Sequence, residues 1–109
     1  MNNWEQAMVG SAVIVYSKRL NEPNHSKTDE IFIVNKETFS HYLNTNESFM
    51  NPDNRLCILR YGEDHIIILE HVFSNVLEGT DFNEYKVLTK TGIGYILINK
   101  MHEFLVKMA

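Results

Sequence analysis

EYKVLTKTGIGYILINKMHEFLV, running from Glu84 to Val106, is the stretch that decides the fold. Two apolar runs flank Thr91-Gly92, and a glycine at that place supplies the positive φ that a tight hairpin turn needs. Gly94 lies just inside the returning run, where glycine marks a bulge or a close approach of another backbone. The stretch therefore predicts a β-hairpin with Thr91-Gly92 at its tip.

The residues after this hairpin have helical spacing. Asn99 is a helix-capping residue type, and the apolar residues that follow fall on one stripe: Met101, Phe104, Leu105 and Met108. The pattern predicts a short closing helix that begins at Asn99.

Further strands are predicted upstream of the hairpin. Ala12–Tyr16 and Glu30–Val34 are rich in β-branched residues, and Ala12–Tyr16 is apolar on both faces, which is typical of a strand inside a sheet. Two longer apolar runs, Arg55–Tyr61 and His65–Val72, flank the short segment Gly62–Asp64. That arrangement predicts a second hairpin.

Capping patterns predict two more helices, and polar segments separate the elements. Asn3 with Gln6 forms a capping box, and Asn35 precedes a helical stripe made by Phe39, Tyr42 and Leu43. The polar segments Lys18–Asp29, Asn44–Asn54 and Ser74–Asn83 are predicted to be surface connections. The expected fold is one α+β domain over residues 1–109: a bent antiparallel sheet of five or six strands that could close as a small barrel, with two or three short helices.

Composition excludes several classes of protein. The chain has 109 residues, 44% hydrophobic and 22% charged, which is typical of one globular domain. Its formal net charge of −4 disfavours nucleic acid as a partner, although Lys86 and Lys90 alternate on the terminal hairpin. The single Cys57 and the short length of every apolar run predict a cytoplasmic protein that is not in a membrane. The many Asn, Lys and Ile residues indicate an AT-rich genome, as in phages or mobile elements of bacterial hosts.

Two segments show a family likeness. Val9-Gly-Ser-Ala-Val-Ile-Val15, and the steps Tyr85-Lys-Val-Leu-Thr, Gly94-Tyr-Ile and Met101-His-Glu-Phe, resemble the first strand and the end of small phage-type Src-homology-3-like barrel proteins. The resemblance implies a small barrel and a bias toward binding, and it transfers no site residue. The Trp-Trp and Pro-x-x-Tyr patterns of the proline-motif-binding members are missing, and Ile31–Asn54 would be an insertion.

No pattern for catalysis, metal or cofactor binding stands out. His65 and His71 share strand parity, but six strand residues separate them by about 20 Å, which is too far for one metal ion. Cys57 lies in an apolar run, where a buried thiol behaves as a small hydrophobic group. Gly92 and Gly94 lack the third glycine and the lysine of a phosphate loop. We therefore expect no catalytic, metal or cofactor residues and no cofactor.

Apolar residues within polar segments are the remaining candidates. Phe49, Met50 and Phe82 either tuck onto the core or bind a partner, and Arg19 and His25 belong to the Lys18–Asp29 segment, the other place for an interface. The sequence favours a small non-enzymatic binding protein, a phage or mobile-element regulator or inhibitor that docks on a host protein.

Two alternatives stay open beside this function. One is a homo-oligomer that captures a small ligand, such as a nucleotide signal, through Arg55, Arg60 or Lys86. The other is an enzyme with an unfamiliar site, for which the only candidates are His65, His71 and Cys57.

Overall fold

The computed structural model of the protein describes residues 8–18, 30–38, 41, 52–77 and 79–108. Strands make up 68% of this part of the chain. There are seven: β1 Ala12–Ser17, β2 Glu30–Val34, β3 Arg55–Arg60, β4 His65–Leu77, β5 Thr80–Thr89, β6 Gly92–Asn99 and β7 Glu103–Lys107. A 3₁₀ turn, Pro52–Asn54, precedes β3.

The strands form one antiparallel sheet in the order β3-β2-β6-β5-β4-β1-β7. Strands β4, β5 and β6 follow one another as a meander, whereas β7 pairs with β1 from the other end of the chain. The sheet curls into a half-barrel. One face is consequently concave around the core, and the opposite face is called the outer face below.

The core is built by strand alternation. In β1 and β6 every second residue is buried, because successive side chains point to opposite faces of a sheet. The most deeply buried apolar side chains on the inner face are Val13, Val15, Ile33, Ile66, Ile68, Tyr85, Val87 and Ile96. Residues of even number in β1 and β5 and of odd number in β6 therefore lie on the outer face.

The predicted terminal hairpin is present, but its tip lies one residue earlier than the predicted Thr91-Gly92. β5 and β6 pair from Phe82 opposite Asn99 to Thr89 opposite Gly92, which leaves Lys90-Thr91 as the two-residue tip. Gly92 has a φ of 133°, a region that favours glycine. The expected strands at Ala12–Tyr16 and Glu30–Val34 are present as β1 and β2.

The expected α+β class is wrong, because the described residues contain no helix of seven or more residues. Asn99 does act as a cap, since its Oδ1 accepts a hydrogen bond from Met101 N at 3.0 Å, but it caps only the turn Lys100–His102. β7 then begins at Glu103 and pairs with β1 over five residues. In β7 only Leu105 is buried, between the exposed Phe104 and Val106, and pairing with β1 selects the strand over the helix that the apolar spacing also allows.

The two upstream helices fall largely beyond what the structure describes. The predicted helix after Asn3 lies outside the described residues, as do Phe39, Tyr42 and Leu43 of the predicted helix after Asn35. Within the described residues, His41 N donates to Glu37 O at 3.0 Å, which is one helical i to i+4 hydrogen bond.

The predicted runs Arg55–Tyr61 and His65–Val72 are strands, but their predicted pairing as a hairpin around Gly62–Asp64 is wrong. β3 pairs with β2, and β4 pairs with β5 and β1, so β3 and β4 meet at a corner instead of side by side. Asp64 Oδ2 accepts a hydrogen bond from Arg60 N at 2.8 Å, and Gly62 N donates to Val15 O at 2.8 Å. These bonds direct the chain away from β3 and toward β1.

The predicted connection Ser74–Asn83 is also wrong, because it belongs mostly to strands. β4 continues to Leu77 and β5 begins at Thr80. Ser74 and Asn83 are cross-strand partners whose side chains bond to each other, Ser74 Oγ to Asn83 Oδ1 at 2.7 Å. Each polar side chain satisfies the other, so a sequence typical of a loop is stable as a ladder.

Candidate functional site

A cavity opens on the outer face between β2 and β6. The two strands pair only where Val34 lies opposite Tyr95, and they have no further paired residues beyond that point. The volume of the cavity is about 410 Å³, within the range of small-ligand sites. Its described lining residues are Glu30, Ile31, Phe32, Val34, Thr38, Phe82, Tyr95, Leu97, Asn99 and Glu103.

The lining of this cavity is aromatic and acidic. Phe32, Phe82 and Tyr95 contribute rings from three different strands, and Glu30 and Glu103 contribute carboxylates. The described lining contains no Lys or Arg side chain. Within this described lining an anionic ligand would meet two carboxylates, and the guanidinium of Arg55 is stacked on the Phe32 ring. An uncharged or cationic ligand would not be repelled by the carboxylates.

Glu103 is held in place by contacts at both of its carboxylate oxygens. Oε1 accepts a hydrogen bond from Asn99 N at 2.8 Å, and Oε2 accepts one from the Tyr61 hydroxyl. The carboxylate thus joins the end of β6, the start of β7 and the corner after β3. Its role at the cavity wall is structural, and Glu30, the other carboxylate of the described lining, is exposed.

A buried carboxylate lies beside the cavity. Glu84 of β5 is only 1% exposed, and its Oε2 accepts a hydrogen bond from Thr38 N at 3.0 Å. Burial of a carboxylate costs free energy unless hydrogen bonds compensate it. The bond therefore fastens the segment after β2 over the outer face of β5. Sequence reasoning missed this residue, because β5 carries several other polar residues and nothing local marks Glu84 as the buried one.

A row of apolar side chains crosses the outer face at the opposite end of β5 and β6. Cross-strand pairing places Ile93 beside Leu88, Leu88 beside Ile67 and Ile67 beside Ala12. Ala12 O in turn accepts a hydrogen bond from Met108 N at 2.9 Å. We call these five residues the outer strip; five adjacent strands make it about 19 Å long. Ile93, Leu88 and Met108 are 53%, 39% and 42% exposed.

The outer strip adjoins further exposed apolar side chains on β7. Phe104 and Val106 are each 42% exposed, and the Phe104 ring stacks on Tyr16 of β1 at a centroid distance of 5.6 Å. The apolar surface therefore continues to the edge of the sheet.

The structure describes one of the five predicted partner-binding residues. Phe82 lies within β5, not in a loop, and it is half-buried at the cavity wall. Phe49, Met50, Arg19 and His25 lie outside the described residues.

The side chains considered for enzymatic or metal chemistry do not meet. Cys57 is half-buried in β3 and packs against the core. His65 is exposed, whereas His71 lies 3.0 Å from Ser74 Oγ through Nε2 and packs on the Tyr85 ring. The described part of the chain contains no group of three or more His, Cys, Asp or Glu side chains that could hold a metal ion.

The three cations considered for a nucleotide site are also separate. Arg55 and Arg60 lie at opposite ends of β3, and Lys86 lies on β5 opposite Glu70. The Arg55 guanidinium stacks over the Phe32 ring at 4.0 Å, and Arg60 Nε forms an ion pair with Glu63 at 3.1 Å. In the described structure these three side chains therefore do not form one ligand-binding site.

Comparison of the chain with protein-family models, curated proteins and solved structures gives no match. The likeness to Src-homology-3-like barrels accordingly stays a prediction. No helix in the described ranges is long and apolar enough to cross a membrane.

Proposed function

We propose that the protein is a small non-enzymatic binding protein that docks on a partner protein through the outer strip. The observation that supports this proposal is the alignment of Ile93, Leu88 and Met108 in one cross-strand row while each stays more than a third exposed. Single exposed apolar side chains are ordinary, but a contiguous apolar surface on a small domain is typical of an interaction site.

Charge indicates the chemistry of the partner. Lys86 and Lys90 lie on either side of Leu88 along β5, the first half-buried and the second exposed at the hairpin tip. A matching partner surface presents apolar groups at its centre and carboxylates at its border. The many Asn, Lys and Ile residues favour a phage or mobile-element origin. The proposed class is therefore a regulator or inhibitor that acts in the cytoplasm, and the proposed partner is a host protein.

The test is a photo-crosslinking experiment in lysate of the bacterial host. A photoreactive amino acid at Ile93 is expected to crosslink a partner, and the same residue at Val76 is expected not to. Val76 is the matched control because it is 59% exposed but lies outside the outer strip.

The proposal requires that the crosslinked product depend on the outer strip. The product from Ile93 should disappear when Leu88→Asp is added and should persist when Val76→Asp is added. Equal labelling from both positions, or a product insensitive to Leu88→Asp, would rule out the outer strip as the docking surface.

A second candidate function, capture of a small ligand, is supported by the cavity between β2 and β6. Its aromatic rings and carboxylates favour an aromatic ligand that is uncharged or carries an amine, because cations are attracted to ring faces and to carboxylates. Phenethylamine should then raise the unfolding temperature, and 3-phenylpropionate should not. Leu97→Trp, which fills the cavity, should abolish the effect; equal shifts from the two compounds would argue against this chemistry.

A further inference from the structure

The cavity between β2 and β6 has two chemically different ends. It is closed at one end, where Val34 pairs with Tyr95, and it extends from there along β2 to Glu30 and along β6 to Asn99. Val34 and Glu30 are four residues apart on β2, which makes the gap about 13 Å long. Glu103 accepts a hydrogen bond from Asn99 N, so both carboxylates of the described lining lie at the end away from Val34.

A positive charge lies near the closed end. Arg55 is the cross-strand partner of Val34, and its guanidinium stacks over the Phe32 ring at 4.0 Å from the ring centroid. The aromatic rings of Phe32 and Tyr95 line the cavity beside it. An ammonium group on a ligand would be repelled by Arg55 and attracted by the carboxylates at the far end, whereas an uncharged ring can occupy the closed end.

Of the two carboxylates, Glu30 is the one that can receive an ammonium. Both oxygens of Glu103 already accept hydrogen bonds from within the chain. Arg60 lies opposite Glu30 on β3, but its Nε pairs with Glu63 at 3.1 Å. Within the described residues no hydrogen bond or ion pair engages the Glu30 carboxylate, and its side chain is exposed.

We propose that the cavity binds an arylalkylamine in one orientation, with its ring toward the closed end and its ammonium on the Glu30 carboxylate. This proposal rests on the second candidate function, capture of a small ligand, and names the residue that decides specificity. Phe32 and Glu30 are two residues apart on the same face of β2, about 7 Å along the strand. That distance suits a phenyl ring and an ammonium joined by two carbon atoms.

This orientation separates an amine from the amino acid that has the same ring. L-phenylalanine differs from phenethylamine by a carboxylate on the carbon that bears the ammonium. In the proposed orientation that carboxylate lies beside Glu30 and Glu103, and its repulsion offsets the attraction of the ammonium. The site therefore selects an aromatic amine over its parent amino acid.

Isothermal titration calorimetry of the purified chain tests the orientation. Phenethylamine should bind at least about tenfold more tightly than L-phenylalanine. Glu30→Gln should weaken phenethylamine binding about fivefold, because an ion pair with an exposed carboxylate is lost. The same variant should bind 2-phenylethanol, which has no charge, as tightly as the original chain does, and this verifies that the cavity is intact. Glu70→Gln is the matched control: Glu70 is an exposed carboxylate on β4 outside the cavity, so phenethylamine binding should not change.

The possible failures are distinguishable. If phenethylamine does not bind, or binds Leu97→Trp as tightly as the original chain, ligand capture in this cavity is wrong, and the proposed orientation is wrong with it. If phenethylamine binds and Leu97→Trp abolishes binding, ligand capture stands. Equal affinities of Glu30→Gln and Glu70→Gln for phenethylamine, or equal affinities of the original chain for phenethylamine and L-phenylalanine, would then overturn the orientation alone.

Discussion

Gly94 is the residue at which the β2–β3 hairpin comes closest to β6. A Cβ atom there would lie 2.7 Å from Ile33 Cγ2, 2.8 Å from Leu56 Cδ2 and 2.8 Å from the main-chain oxygen of Val34. Side chains can rotate away from such a contact, but a strand carbonyl cannot do so without moving its strand. Glycine at this position therefore permits β2 to join the sheet.

The first prediction concerns this glycine. Gly94→Ala should lower the free energy of unfolding by about 2–3 kcal/mol, measured by urea denaturation, because it overpacks a close backbone approach. Gly79→Ala is the control: Gly79 has a φ of 78° and open space around it, so the cost should be about 1 kcal/mol of backbone strain. A Gly94→Ala variant as stable as Gly79→Ala would contradict this account.

At the scale of residues the sequence predicted local geometry better than burial. A bulge or a close approach was expected at Gly94, and the continuous register of β5 with β6 shows that it is a close approach. Glu84 could not be foreseen as buried, because its cover comes from Thr38, 46 positions earlier in the chain. Local patterns carry no information about such a distant contact.

At the scale of elements, one carboxylate fixes the passage from β6 to β7. Glu103 accepts a hydrogen bond from Asn99 N and one from the Tyr61 hydroxyl, and so it holds the turn Lys100–His102 against the corner after β3. The turn is short, so β7 can reach β1 only because the sheet is curled.

The second prediction removes the hydroxyl from this arrangement. Tyr61→Phe should lower the free energy of unfolding by about 1–2 kcal/mol, because a hydrogen bond to a carboxylate is lost. Tyr16→Phe is the matched control, since the Tyr16 hydroxyl has no hydrogen-bond partner in the described part of the chain. Urea denaturation of both variants measures the difference, and equal stabilities would show that the Tyr61 bond contributes nothing.

The sequence identified strands more reliably than their ends and partners. β1, β2 and the β5–β6 hairpin were predicted, since each is a β-branched run with a clear boundary. β7 was expected to be a helix, because Phe104 and Leu105 fall on a helical stripe with Met101 and Met108, but the apolar run Phe104–Val106 is equally compatible with a strand. Only the presence of β1 as a partner decides between the two.

At the scale of the whole molecule, the sheet has a strong centre and a weakly attached hairpin. β5 pairs with β6 over eight residues, whereas β2 pairs with β6 at a single residue, Val34. Elements held by few interactions open more readily than the rest of the fold. The weak junction is also the place where the cavity lies.

The third prediction follows from this difference in attachment. In native-state hydrogen exchange, the amides of β2 and β3 should be about 10- to 100-fold less protected than those of β4 and β5, because the β2–β3 hairpin can detach without unfolding the meander. Equal protection across all seven strands would show instead that the sheet opens as one unit.

The order of the strands could not be predicted from the sequence, because it depends, like the strand conformation of β7, on partners that are distant along the chain. Pairing between neighbours such as β5 and β6 leaves a local signature in the turn, but the pairing of β2 with β6 and of β1 with β7 leaves none. The candidate site shares this limit. The cavity and the outer strip both exist only through cross-strand neighbours that are distant along the chain.

The pairing of β1 with β7 also has a consequence for biosynthesis. β1 leaves the ribosome early, yet the strand that covers one of its edges ends at Lys107. A nascent chain stopped before Glu103 can form the β4–β5–β6 meander, but it leaves the backbone groups of β1 on that edge exposed to other chains. The sheet is therefore completed only after β7 has been translated, and until then one edge of β1 is open to pairing with other chains.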